Sequence, residues 1–149
     1  MFKIVLDYSY WRALLRADDE NHEVAELITP LLSKDYTFYT PFHVFRNVMM
    51  LCDNEDVRVK KEIHYYIDKC TRIQFYAQRY TYDDIYEYLT SDNDLSFDDS
   101  LTLGFMKKRG IRVIVSFNEA FDQIRGINRI YALDEYNPRI LNFFKYVQK

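Results

Sequence analysis

Glycine and proline are scarce in this chain, three of each in 149 residues, which leaves little room for linkers or a loop-rich fold. Cysteine is scarcer. Cys52 and Cys70 show no CxxC spacing and have no histidine beside them in a ligand pattern, so they argue against zinc and read as reduced, buried thiols. Long hydrophobic runs are missing as well. None approaches the roughly 18 apolar residues of a membrane span, and the opening MFKIVL is cut by Asp7, too short for a signal peptide. A cytoplasmic protein without a membrane segment is the expectation. Positive charge is not in excess: the net charge is -3, which argues against holding nucleic acid by charge alone but is compatible with carboxylates that bind a metal. There is no glycine-rich phosphate loop and no nucleophile triad in a recognisable context.

What the chain has is apolar and aromatic residues. Hydrophobic residues make up 48%, with 14 tyrosines and 11 phenylalanines, enough for one domain over residues 1–149 with a full core. Tyr65, Tyr66, Tyr76, Tyr80, Tyr82, Tyr86 and Tyr88 crowd one segment. They are too many to bury one by one, so an exposed aromatic patch and self-association are expected.

The clearest local structure lies between Asp94 and Phe121. Ser96 with Asp99 three residues later forms a capping box, and Leu101, Leu103, Phe105 and Met106 carry the helix on to Lys107, Lys108, Arg109 and the stop at Gly110. Residues 111–115 are a β-branched run that reads as a buried strand ending at Ser116-Phe117-Asn118. Earlier, residues 2–6 suit a central parallel strand closed by Asp7, with a helix through Trp11 and Leu15. A helix through Val24 and Ile28 is divided at Pro30.

Strand 36–40 leads into a helix with Thr40 as cap and Pro41 in its first turn, followed by a long helix over 57–70 and a short strand at 72–76. A box of Thr81 and Asp84 opens another helix, and a strand at 129–132 and a terminal helix from Asn137-Pro138 close the chain. The alternation predicts an α/β fold, a three-layer α/β/α sandwich around a central, mainly parallel sheet. In such sheets ligands sit beyond the carboxyl ends of the strands, where Asp7, Asn118, Glu119 and Asp122 fall.

Four strings in order, LDYSYWRALL, YTPFHVFRNVMML, LSFDDSLTLGFMKKRGI and VIVSFNEAFDQIRGI, make the sequence resemble a PIN domain, the fold of VapC-type toxin ribonucleases and related RNA-processing nucleases. The resemblance spans Leu6 to about Ile127. It implies a ribonuclease that hydrolyses RNA with magnesium or manganese held by carboxylates, because a hard cation takes oxygen ligands and activates water. Asp7 matches the first acid, Asp99 the acid of the third string and Asp122 the final one, while Ser9 matches the hydroxyl that supports the first acid.

Two positions depart from the pattern. The second segment offers Arg46 or Asn47 where the family has Glu, and Asn118 stands where the family has the Asp of T-F-D. Asn118 is then a neutral metal ligand and the site is weakened. Asp98 and Glu119 stand near without matching, Asp98 about 100° around the helix from Asp99. Arg46 facing Asp7 would occupy the cation's place; Asn47 facing the acids would not. The alternative is a catalytically inactive PIN-like domain that binds protein or RNA. The resemblance also implies a homodimer and an antitoxin-type protein partner.

Asp99 is also explained by its cap, and Asn118 and Asp122 as caps of a short turn. His22, His43 and His64 share no ligand spacing and read as surface or packing residues. The runs Arg58, Lys60, Lys61 and Lys107 to Arg109 read first as solvated helix faces.

Overall fold

The structure, a computed structural model, describes residues 2–28, 36–70, 72–74, 82–91 and 93–131. Pro30, the Thr81 cap, the end of strand 72–76 and the terminal helix from Asn137 lie outside these residues.

Five parallel strands form one sheet. They are β1 (Phe2–Leu6), β2 (Tyr36–Pro41), β3 (Arg72–Gln74), β4 (Val113–Val115) and β5 (Asn128–Ile130), in the order β3-β2-β1-β4-β5. β1 is central, and its alternating side chains feed two cores. Ile4 and Leu6 pack with Trp11, Ala25, Val44, Val48 and Ile67, from α1 (Tyr8–Leu15), α2 (His22–Ile28), α3 (Phe42–Leu51) and α4 (Val57–Cys70). Val5 turns the other way, to Leu103, Phe105 and Met106 of α6 (Phe97–Arg109), which packs on α5 (Tyr82–Thr90). The result is the expected α/β/α sandwich.

The expected helix signals hold at α6. Ser96 and Asp99 complete the reciprocal capping box, and Gly110 ends the helix at φ 67°. Gly104 packs so close to Ile85 that a β-carbon there would come within 2.4 Å of it, which ties α6 to α5. At α3 the expectation changes. Pro41 ends β2 and stands at the cap position, while the Thr40 hydroxyl, fully buried, accepts the Trp11 indole N–H at 3.1 Å. A buried indole donor needs a partner, and Thr40 is spent on it.

The chain changes direction between β1 and β4. Strands β2 and β3 run off one side of β1, β4 and β5 off the other, and Leu6 pairs with Val115. Crevices at such a reversal, beyond the carboxyl ends of the strands, are where open parallel sheets place ligands. Asp7 and Ser116 are the next residues out.

Candidate functional site

A cavity of about 170 Å³ opens at this reversal, lined by Asp7, Ser9, His43, Asn47, Ser96, Asp98, Asp99, Thr102 and Asn118, among others. It gathers residues from the ends of β1 and β4, from the start of α1 and from the first two turns of α3 and α6.

Asp7 is 5% exposed. Its Oδ2 accepts from the Ser9 hydroxyl at 2.9 Å and the Ser116 hydroxyl at 2.7 Å. Each hydroxyl in turn accepts a backbone N–H from the segment leaving β4: Phe117 N–H donates to Ser9 at 2.9 Å, and Asn118 N–H to Ser116 at 3.0 Å. The two N–H groups leave each serine proton directed at the carboxylate. Burial pushes the Asp7 carboxyl above the usual range, the nearby Asp99 charge adds to this, and the Ser116 and Ser9 bonds act against it.

The acids of α6 are held from opposite sides. Asp99 Oδ2 accepts the Ser96 N–H at 3.0 Å, as its cap role requires, and also the Asn118 side-chain amide at 3.0 Å. Asp98 Oδ2 accepts the Asn47 amide at 2.9 Å. The turn of the helix between the two acids points Asp98 at α3 and Asp99 at the β4 exit, and both still line the cavity. Asn118 has a fixed orientation, because its Oδ1 accepts Ala120 N–H at 3.1 Å. Its NH₂ therefore faces Asp99.

Of the second-segment pair, Asn47 lines the cavity and Arg46 is exposed outside it. Asp122 is not brought to the cavity. It follows β4 on a 3-10 turn (Glu119–Gln123), and Arg129 on β5 grips it with Nη2 on Oδ2 at 2.7 Å and Nε on Oδ1 at 2.9 Å. Glu119 is exposed and also outside the lining.

Sequence reasoning took His43 only as a surface or packing residue and passed over Ser116 as part of the site. His43 is 2% exposed and its Nε2 lies 2.8 Å from Thr102 Oγ1. The Thr102 hydroxyl gives its proton to the Asp98 carbonyl at 3.2 Å, so Nε2 is the donor and Nδ1 is bare. Nδ1 is the one buried side-chain N or O atom without a hydrogen-bond partner among the described residues. Burial lowers the His43 pKa to about 4, against the pull of Asp98, so the ring is neutral near pH 7. Spacing gave no hint of it, since only docking of α3 on α6 buries that face. Ser116 was legible, as the hydroxyl residue in the first position of S-F-N.

Whether these residues suit a divalent ion depends on donor chemistry. The side-chain bonds above fall on Oδ2 of Asp7, Asp98 and Asp99, and carboxylate oxygens are the hard donors that magnesium or manganese takes. The set fits such an ion in kind. In the arrangement present, no three His, Cys, Asp or Glu side chains among the described residues converge tightly enough to hold one.

The fold is that of the VapC PIN-domain toxins. Mycobacterium tuberculosis VapC20, a toxin that cleaves the sarcin-ricin loop, is 22% identical with a TM-score of 0.61, over 80% of this chain and 92% of that one. VapBC2 from Rickettsia felis, bound to a fragment of its promoter DNA, is 11% identical with a TM-score of 0.65, and DNA-bound VapBC from Salmonella typhimurium is 16% identical with a TM-score of 0.62. Each covers 87% of this chain and 98% of its own. No family profile and no curated protein sequence matches the chain. No helix among the described residues is long and apolar enough to cross a membrane.

Proposed function

We propose that this chain is a PIN-like ribonuclease that works with magnesium or manganese at a weakened site. The observation that carries the reading is the gathering of Asp7, Asp98 and Asp99 in one cavity at the sheet's reversal, with Asn47 turned in and Arg46 turned out. Asp7, Asp98 and Asp99 would hold the ion, with Asn47 and Asn118 beside them as neutral groups. When bound, the ion would activate water and offset charge on the phosphodiester.

The chain's own groups do the positioning. Ser9 and Ser116 fix the Asp7 carboxylate through one oxygen, and Asp7 lines the cavity. A second cavity of about 440 Å³ adjoins the first through Ser9 and Asn118; Phe117 lines it together with Asp18, Glu20 and Arg12, which pairs with Asp19 at 3.6 Å. The aromatic ring there suits a base of a single strand. Asp122, tied to Arg129, has no part in this arrangement.

The proposed setting is the cytoplasm, in keeping with the buried free thiol of Cys52. An antitoxin-type protein partner is proposed from the likeness to the two VapBC complexes. A homodimer is proposed on α5, where Tyr82 and Tyr86 are 63% and 51% exposed with ring centroids 5.7 Å apart.

A second reading, an inactive PIN-like binding module, is favoured by one observation: amides stand against two of the three acids. Cleavage of a mixed-sequence single-stranded RNA in manganese and in EDTA separates the two. The first reading expects cleavage that needs the metal and falls by about a hundredfold or more in Asp7→Asn, since a metal site supplies several kcal/mol of charge stabilisation. Equal background under all conditions establishes the second.

A further inference from the structure

Three carboxylates share a cavity of about 170 Å³, and carboxylates at such range repel one another unless donors or a cation stand between them. Asp7 has the Ser9 and Ser116 hydroxyls; for Asp98 and Asp99 the side-chain donors are two asparagines. Asn47 places its NH₂ 2.9 Å from Asp98 and Asn118 places its NH₂ 3.0 Å from Asp99. They come from opposite walls, α3 and the exit of β4, so the two acids are braced from both sides.

We propose that Asn47 and Asn118 stand in for the cation, bracing the acidic cavity so that it is stable with no ion bound and setting how weakly it takes one. The inference deepens the ribonuclease reading and rests on it for the identity of the ion. An amide differs from a guanidinium in the respect that matters. It donates a hydrogen bond and leaves the negative charge uncancelled, so the cavity keeps its attraction for a cation. A cation that takes the same oxygen must first displace the amide N–H.

The geometry makes the substitution clean. In Asn118→Asp one oxygen keeps the bond from Ala120 N–H, and aspartate is as good a cap as asparagine. Only the atom facing Asp99 changes, from a donor to a charged acceptor. Asn47→Asp does the same against Asp98 without altering volume.

The test is thermal melting of the full chain, followed by circular dichroism, in EDTA and across a manganese titration. Each aspartate variant is expected to melt below the parent in EDTA. In manganese each is expected to be stabilised more than the parent, with an apparent affinity at least about tenfold higher, because each added ligand charge moves such sites by decades. A variant unfolded in EDTA that manganese refolds supports the proposal. One that stays unfolded in saturating manganese counts against it, as do variants that melt like the parent in EDTA and bind manganese no tighter.

Asn47→Ala and Asn118→Ala remove the brace without adding charge. They are expected to melt below the parent in EDTA and to gain less than threefold in affinity; a gain equal to that of aspartate overturns the added-ligand part of the proposal. Melting reads binding alone, so a parent that fails to cut RNA while its aspartate variants take manganese overturns the ribonuclease reading and leaves this one standing. A parent and variants that all ignore manganese overturn both.

Discussion

Asp99 and Asp122 lie on either side of the exit from β4 and are held in opposite ways. Asp99 takes a neutral amide from Asn118 at 3.0 Å and shares a cavity with two other acids. Asp122 is gripped on both oxygens by Arg129, whose side chain is only 6% exposed and also donates to the Ser116 carbonyl at 3.2 Å. A bidentate guanidinium cancels charge and occupies both oxygens. On the proposed reading the first acid, though it also caps α6, is left to a cation, and the second is part of the scaffold. Reading function from acids in a sequence thus depends on the donor each one meets, and that donor is set by tertiary structure.

The largest effect that sharpens this contrast is acid sensitivity at the amide-held end. His43 is neutral because burial holds its pKa near 4, against an ordinary value of 6.5. Below pH 6.5 the unfolded chain takes up a proton that the folded chain refuses, so stability falls as pH drops towards 4 and then levels. The shift corresponds to about 3 kcal/mol, or about 10 °C in a chain of this size. Asp7, whose carboxyl is raised by burial, acts in the opposite sense. Melting the protein and His43→Gln side by side from pH 7 to 4 isolates the histidine: the variant's slope should be shallower, and equal slopes would refute the assignment.

Next in size is Arg129→Ala. It leaves the Ser116 carbonyl without the guanidinium, strips Asp122 of its bidentate partner and removes a cation stacked 4.1 Å above the Tyr131 ring. A loss of about 2 kcal/mol is expected by denaturant melting, less than for a fully buried pair because Asp122 is half exposed. A cost well under 0.5 kcal/mol would place Arg129 outside the scaffold. The smallest effect is that of Asp122→Asn. It should cost at most about 1 kcal/mol and leave the proposed metal-dependent RNA cleavage within about twofold, an outcome that a cleavage assay breaks if activity collapses.

Much of this was legible locally. The Ser96 and Asp99 box, the left-handed Gly110 and the Asn118 cap depend on a few neighbouring residues, and all three form as the sequence implies. Asp7 was legible because it directly follows a strand that is apolar at all positions but Lys3. The missing parts depend on docking. Whether Arg46 or Asn47 turns inward is set by the phase at which Val44 and Val48 enter the core. The capture of Asp122 needs the turn that returns β5 beside β4, and the diversion of Thr40 to Trp11 needs α1 packed on β2. No periodicity carries that information. The β4 strand also begins at Val113, two residues later than the apolar run suggests, because Ile111 N–H is still spent on the Met106 carbonyl closing α6.

The most direct measurement is a calorimetric manganese titration of the protein, Asp7→Asn and Asp122→Asn under one set of conditions. The contrast between the two ends of the β4 exit predicts a weak binding heat in the protein, its loss in Asp7→Asn and its retention in Asp122→Asn. Binding that survives in Asp7→Asn and disappears in Asp122→Asn would contradict it, and would move the metal from the amide-braced cavity to the acid that Arg129 holds.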